Sequence, residues 1–155
     1  GYNFGAKNYK RVIKTYKNTV MIGTGITTVG FLISHIFPSL IAKAFTNDEE
    51  LIKISVVALK LMTLSFPFVG FQMVTSNFFQ SIGKPKISIF LSLSRQVVFL
   101  IPALFFIPHL FGLTGVWLAT PVSDIISFLV TFFVLQSQIK KLQSKDALSS
   151  MKGVI

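Results

Sequence analysis

A chain of 155 residues that is 52% hydrophobic and 13% charged, with a mean hydropathy of +0.69, lies far from the balance of a water-soluble domain. It contains no Cys, which excludes disulfides, thiolate metal sites and cysteine catalysis. The formal charge of +10 suggests nucleic acid until the basic residues are placed; they gather at the edges of apolar segments, which is a membrane pattern.

The chain opens Gly1-Tyr2-Asn3 with no initiator Met and no signal-peptide pattern, so a fragment of a longer protein is expected. In residues 1–17, Tyr9, Val12, Ile13 and Tyr16 recur at helical spacing while Lys10, Arg11, Lys14 and Lys17 take other faces. This predicts either a basic helix lying at the cytoplasmic interface or a cytoplasmic extension of the first span. Four transmembrane spans follow, at 18–42, 54–83, 87–110 and 113–136, each long enough to cross about 30 Å of hydrocarbon. The expected class is therefore an all-α membrane protein, with 18–136 as its transmembrane region and 137–155 as a tail.

Charge orients the spans. Lys7, Lys10, Arg11, Lys14 and Lys17 precede the first without an acid, whereas the next connection carries Asp48, Glu49 and Glu50 against Lys43 and Lys53. Lys84 and Lys86 sit in the third connection, the stretch from Gly112 to Thr114 is uncharged, and the tail holds Lys140, Lys141, Lys145 and Lys152 against Asp146. The positive-inside rule puts both ends in the cytoplasm. Basic residues are nearly all Lys, with Arg only at Arg11 and Arg95, which suits an AT-rich bacterial genome; the expected location is a bacterial inner membrane. Gly23, Gly25 and Gly30, Pro67 and Gly70, Pro102 and Pro121 punctuate the spans, as kinks or points of close helix approach.

Asp124 is the only acidic residue inside any span, and a carboxylate at mid-membrane costs roughly 2.5 kcal/mol or more unless paired, hydrated or protonated. Thr120, Ser127 and Thr131 share its helical face. The pattern fits a cation-binding or proton-accepting group, and equally a helix cap or buried ion pair beside Pro121. In the second span Ser65, Gln72, Ser76 and Gln80 form a polar stripe, mostly on the cytoplasmic side of a kink expected at Pro67, suited to a water-filled pathway or an interhelical contact. Arg95 and Lys60 lie about two turns inside their spans; Lys60 can snorkel, while the Arg95 fork can bridge carbonyls or carboxylates between helices. His35 and His109 fall near outer ends, where interfacial placement explains them. Nothing supports an enzyme: no phosphate loop, metal-ligand pair or nucleophile beside a base is present. No cofactor is expected.

Four stretches in order carry a family resemblance: Gly1-Tyr2-Asn3-Phe4-Gly5-Ala6-Lys7-Asn8-Tyr9; Phe79-Gln80-Ser81-Ile82-Gly83-Lys84-Pro85-Lys86; Ser94-Arg95-Gln96 into Pro102; and Gly115-Val116-Trp117 leading to Pro121-Val122-Ser123-Asp124. Together they resemble the C-terminal lobe of the multidrug and toxic compound extrusion (MATE) transporters. The resemblance implies the last four of twelve helices in two lobes, with the N-terminal lobe of the same protein as partner. It also implies rocking alternating access, Na+ or H+ as coupling ion, small organic cations as substrates, and a structural or gating role for Arg95. The sodium-coupled branch carries an acidic ligand on the helix matching the second span, which here has no Asp or Glu; this shifts the expected coupling site toward the other lobe. A flippase of lipid-linked oligosaccharides and a non-transporting membrane fragment are the alternatives.

Overall fold

The computed structural model describes residues 1–152, with side chains through residue 147, so the tail position Lys152 lies outside the described side chains. The described residues are helices and turns with no strand: α1 (Tyr2–Gly5), α2 (Tyr9–Ile36), α3 (Pro38–Lys43), α4 (Glu49–Met62), a 3-10 turn (Thr63–Ser65), α5 (Phe66–Ser81), α6 (Pro85–Leu93), a π-helical turn (Ser94–Leu100) and α7 (Ile101–Lys152). The basic stretch from Tyr9 to Lys17 is thus the extension of the first long helix, and only the short α1 stands apart.

Local chemistry sets the boundaries. α2 stops before Phe37, whose φ of −121° is what a following Pro imposes, and Pro38 starts α3. The Asp48 carboxylate accepts hydrogen bonds from the backbone N–H groups of Glu50 (2.9 Å) and Leu51 (3.2 Å), capping α4, while Glu49 and Glu50 suit its dipole. Pro67 sits in the first turn of α5 directly after the 3-10 turn, so the irregularity expected at Pro67 lies just before it, at Thr63–Ser65. The helix of α7 runs through Pro121.

Among the described residues, three stretches are long and apolar enough to cross a membrane: Tyr9–Ile36, Glu49–Ser81 and Pro85–Ala147. The last, at 63 residues, would reach roughly 95 Å if straight. It is not straight. Gly112 holds φ 56° and ψ −136°, a conformation closed to side chains, and the chain reverses there so tightly that a Cβ on Gly115 would fall 2.6 Å from the Ile107 carbonyl oxygen. The reversal brings Arg95 within 3.4 Å of Asp124, residues that a continuous helix would hold about 43 Å apart.

The inside and outside of the bundle are inverted relative to a soluble protein. Ser65, Gln72, Thr75, Ser123, Asp124, Ser127 and Thr131 are buried, while Met21, Ile22, Ile26, Val29, Phe105, Phe106 and Phe133 are exposed. Lipid rewards that arrangement and water does not. Helices meet through one close contact and two apolar ones. Gly70 of α5 lies against Gly23, Thr24 and Thr27 of α2. Phe68 and Phe71 pack on Phe128 at 4.9 and 5.1 Å between ring centres, joining α5 to α7. Val12, Tyr16, Phe78, Phe79, Ile82, Leu91, Leu135 and Leu142 form the main apolar cluster, which gathers one end of the bundle.

Candidate functional site

An ion pair sits at the meeting of four elements. Asp124, 4% exposed, enters from α7. Its Oδ2 accepts a 2.6 Å hydrogen bond from the fully buried Ser65 hydroxyl at the end of the 3-10 turn. Its Oδ1 accepts from the Arg95 guanidinium at 3.4 Å, reaching from the π-helical turn. Its backbone carbonyl accepts from the Gln72 amide nitrogen at 2.7 Å, from α5. The acid, the polar stripe and the intramembrane Arg are thereby one constellation.

Magnitudes show what it does. At an effective dielectric near 20, opposite charges 3.4 Å apart attract by about 5 kcal/mol, and withdrawing each ion from water costs several kcal/mol. The two nearly cancel, so the pair adds little net stability. Removing the guanidinium would leave the buried carboxylate uncompensated, which costs far more, whereas the Arg95 side chain, 32% exposed, can hydrate when the carboxylate is neutralised. The pair fixes geometry. The short Ser65 bond holds the carboxylate firmly, while the long guanidinium contact is the weaker link, and the Arg95 side chain is 32% exposed. A π-helical stretch such as Ser94–Leu100 spaces backbone hydrogen bonds more widely than α-helix and is common at functional positions.

The remaining candidates distribute around this centre. Thr131, Gln72, Ser76 and Arg95 line a cavity of about 250 Å³ with Ser92 and Gln96. The Ser76 hydroxyl lies 2.9 Å from that of Ser92 and donates to the Ser88 carbonyl at 3.1 Å, joining α5 to α6. Gln80 is exposed and lines a neighbouring groove with Ser88 and Ser92. Ser127 is buried on the Asp124 face, and Thr120 is half-buried with its carbonyl accepting from Ser123 at 2.8 Å. Pro121 is buried one turn before Asp124, and Pro67 lies in the first turn of α5, two residues after Ser65. Lys60 is exposed. His35 and His109 pair with the carbonyls of Phe31 and Phe105 four residues back in their own helices, and neither joins the cluster.

Sequence reasoning did not single out Ser88, Ser92 and Ser123. Ser88 and Ser92 stand one helical turn apart on α6 and so face α5 together, a spacing readable in the chain. The contact between Lys84 and Gln138, which ties the α5–α6 turn to α7, carried no such signal.

Comparison with known proteins places this arrangement. The MatE family model matches residues 1–106. A solved chain described as "protein A" is 39% identical, with a TM-score of 0.82 over 88% of this chain and 31% of its own. An inward-facing multidrug resistance MATE family transporter of the MOP superfamily shares the fold at 23% identity and a TM-score of 0.86, over 93% of this chain and 34% of its own. The Vibrio cholerae MATE transporter VcmN in its bent form does so at 20% identity and a TM-score of 0.82, over 92% and 33%. The chain thus spans about a third of the length of these structures. A search of the curated proteins gives no match.

Proposed function

The chain belongs to the MatE family, and from that premise we propose that it supplies the last four membrane crossings of a twelve-helix, two-lobed antiporter. This antiporter exports small organic cations against an inward flow of Na+ or H+, in a bacterial inner membrane. The observation that carries the reading is the Asp124–Arg95–Ser65–Gln72 constellation buried inside the bundle, because a membrane scaffold has no need of a buried charge pair joined to a polar cavity.

Splitting Pro85–Ala147 at Gly112 turns three long apolar stretches into four crossings. Their ends sort by charge. Val12, Ile82 and Leu142 share one cluster, so the N-terminal end of α2 with Lys10, Arg11, Lys14 and Lys17, the α5–α6 turn with Lys84 and Lys86, and the α7 segment with Lys140, Lys141 and Lys145 lie at one end. Asp48, Glu49 and Glu50 begin a 33-residue helical stretch that runs to that end, roughly 50 Å away. The basic end is cytoplasmic by the positive-inside rule.

In this reading the cavity beside Arg95, lined by Gln72, Ser76 and Thr131, opens toward the pathway between lobes, with Gln80, Thr120 and Ser127 along the same polar route. Asp124 exchanges partners: a cation or proton taken up by the carboxylate discharges the pair and frees the guanidinium, whose contact is the weaker of the two. Rocking of the lobes then answers to that release. Pro67 and Pro121 set the two helices from which Ser65 and Asp124 approach.

The test is Asp124→Asn in the complete protein. Asparagine still accepts from Ser65 but cannot carry the charge, and the partly exposed Arg95 can hydrate. Ion-driven efflux of a lipophilic cation should fall at least tenfold while membrane abundance and thermal stability stay near wild type. Unchanged efflux at unchanged stability would remove Asp124 from the mechanism.

A further inference from the structure

Beyond the transport pathway, the fold brings together like charges that the sequence scatters. Lys84 lies in the turn between α5 and α6, and its Nζ donates to the Gln138 side-chain oxygen of α7. On α7, Lys141 and Lys145 follow Gln138 by one and two turns and so share its face. Both are exposed, whereas Lys84 is half-buried. Desolvation at this contact, followed by the fields of Lys141 and Lys145, holds the Lys84 amine below the usual lysine range.

Lys141 and Lys145 stand on the face of α7 that Lys84 contacts and repel its ammonium group, and Gln138 offers Lys84 a dipole but no charge. Asp146, next to Lys145 in sequence, is the one acid of that stretch. The place lies where two apolar stretches, Glu49–Ser81 and Pro85–Ala147, leave the membrane together. Ammonium groups at that depth meet lipid phosphates, and an anionic leaflet attracts each by about 1 kcal/mol.

We propose that Lys84, Lys141 and Lys145 form a binding site for the headgroup phosphate of an anionic phospholipid. Gln138 fixes Lys84 in place and the two α7 lysines close on the phosphate from the water side. The acyl chains lie along exposed apolar surface of α6 at Phe90, outside the groove that Gln80 lines. The site depends on this end of the bundle lying at the membrane surface, not on transport.

The experiment uses the complete protein in detergent, titrated with phosphatidylglycerol and separately with phosphatidylcholine, with bound lipid read by native mass spectrometry. Phosphatidylglycerol should be retained over phosphatidylcholine. Lys141→Gln with Lys145→Gln should weaken its binding roughly 25-fold, taking about fivefold for each lysine removed. Lys141→Arg with Lys145→Arg should restore it. Equal retention of the two lipids, or binding unchanged in the double Gln variant, would overturn the proposal. Displacement of the lipid by millimolar inorganic phosphate would overturn it too, by making this a site for the free anion. Both variants alter exposed side chains, and thermal stability in phosphatidylcholine nanodiscs verifies that they fold. Binding is scored without transport, so a protein that binds lipid but exports nothing counts against the transporter reading alone.

Discussion

The contact between α2 and α5 gives the sharpest stability prediction, at Gly70. A Cβ added there would stand 2.4 Å from the Thr27 hydroxyl oxygen, 2.8 Å from the Gly23 carbonyl oxygen and 3.0 Å from the Thr24 Cα. The Thr27 hydroxyl can rotate away, at the expense of its bonds to the Gly23 and Thr24 carbonyls at 3.2 and 3.1 Å. The backbone atoms cannot, so the helices must separate by several tenths of an ångström. Overpacking of that kind costs about 1–3 kcal/mol, while replacing a helical Gly by Ala returns up to about 1 kcal/mol. Gly70→Ala should therefore destabilise the purified protein by about 1–2 kcal/mol, read as a lower midpoint of thermal unfolding in detergent. Gly25 in the same helix pair has nothing within 4 Å of its would-be Cβ, so Gly25→Ala should be neutral or stabilising. Adding Thr27→Ala to Gly70→Ala should recover only part of the loss, because the Gly23 carbonyl remains. A Gly70→Ala protein as stable as Gly25→Ala would refute the close approach.

Three further outcomes follow from single features. Gly112→Ala forces a side chain into φ 56°, ψ −136° at the reversal of α7 and should cost about 1–3 kcal/mol of thermal stability through backbone strain alone, since nothing lies within 4 Å of the added Cβ there or at Gly83, whose φ of +73° makes Gly83→Ala a second test of the same strain. Ser65→Ala removes the 2.6 Å donor to a buried carboxylate and should destabilise by about 1.5–3 kcal/mol in the same unfolding assay. This chain has no Cys, so single cysteines at Asn47 and Ser144 can be labelled in intact cells; only Asn47 should react with an impermeant maleimide, and equal labelling would defeat the orientation.

Much of the fold was readable because lipid simplifies the code. Uncharged runs of sufficient length mark spans, and the breaks at Pro67 and Pro85 follow from the fixed φ of proline while the one at Gly112 follows from glycine's freedom; the break at Pro38 falls inside the run 18–42, which hydropathy alone reads as continuous. The boundaries were less legible. The helix of α2 begins at Tyr9, well before the apolar run at 18–42, because helical backbone continues past the hydrocarbon edge as readily as inside it. Gly25, Gly30 and Gly70 look alike in sequence, yet only Gly70 sits in a contact tight enough to exclude a methyl group, and that depends on the register of two helices far apart in the chain.

At the site, the sequence identified which residues had no business against lipid, and the structure identified why they are tolerated. Asp124, Gln72, Arg95 and Ser65 were each conspicuous alone, since a buried polar group demands a partner, but pairings across separations of 29 to 59 residues depend on helix rotation that no local pattern encodes. Knowing the partners changes the chemistry. An unpaired carboxylate at mid-membrane would take up a cation or proton outright. In the proposed mechanism, a carboxylate already facing a guanidinium takes up an ion by exchanging partners, which couples ion uptake at Asp124 to movement of Arg95. Arg95 is carried by a π-helical turn, a backbone form frequent at functional positions. Arg95→Lys tests this coupling. A point charge without the planar fork keeps the site neutral but loosens its geometry, so stability should change by less than about 1 kcal/mol while the dependence of efflux on the ion gradient flattens. A steep gradient dependence retained in that variant would separate Arg95 from the ion step.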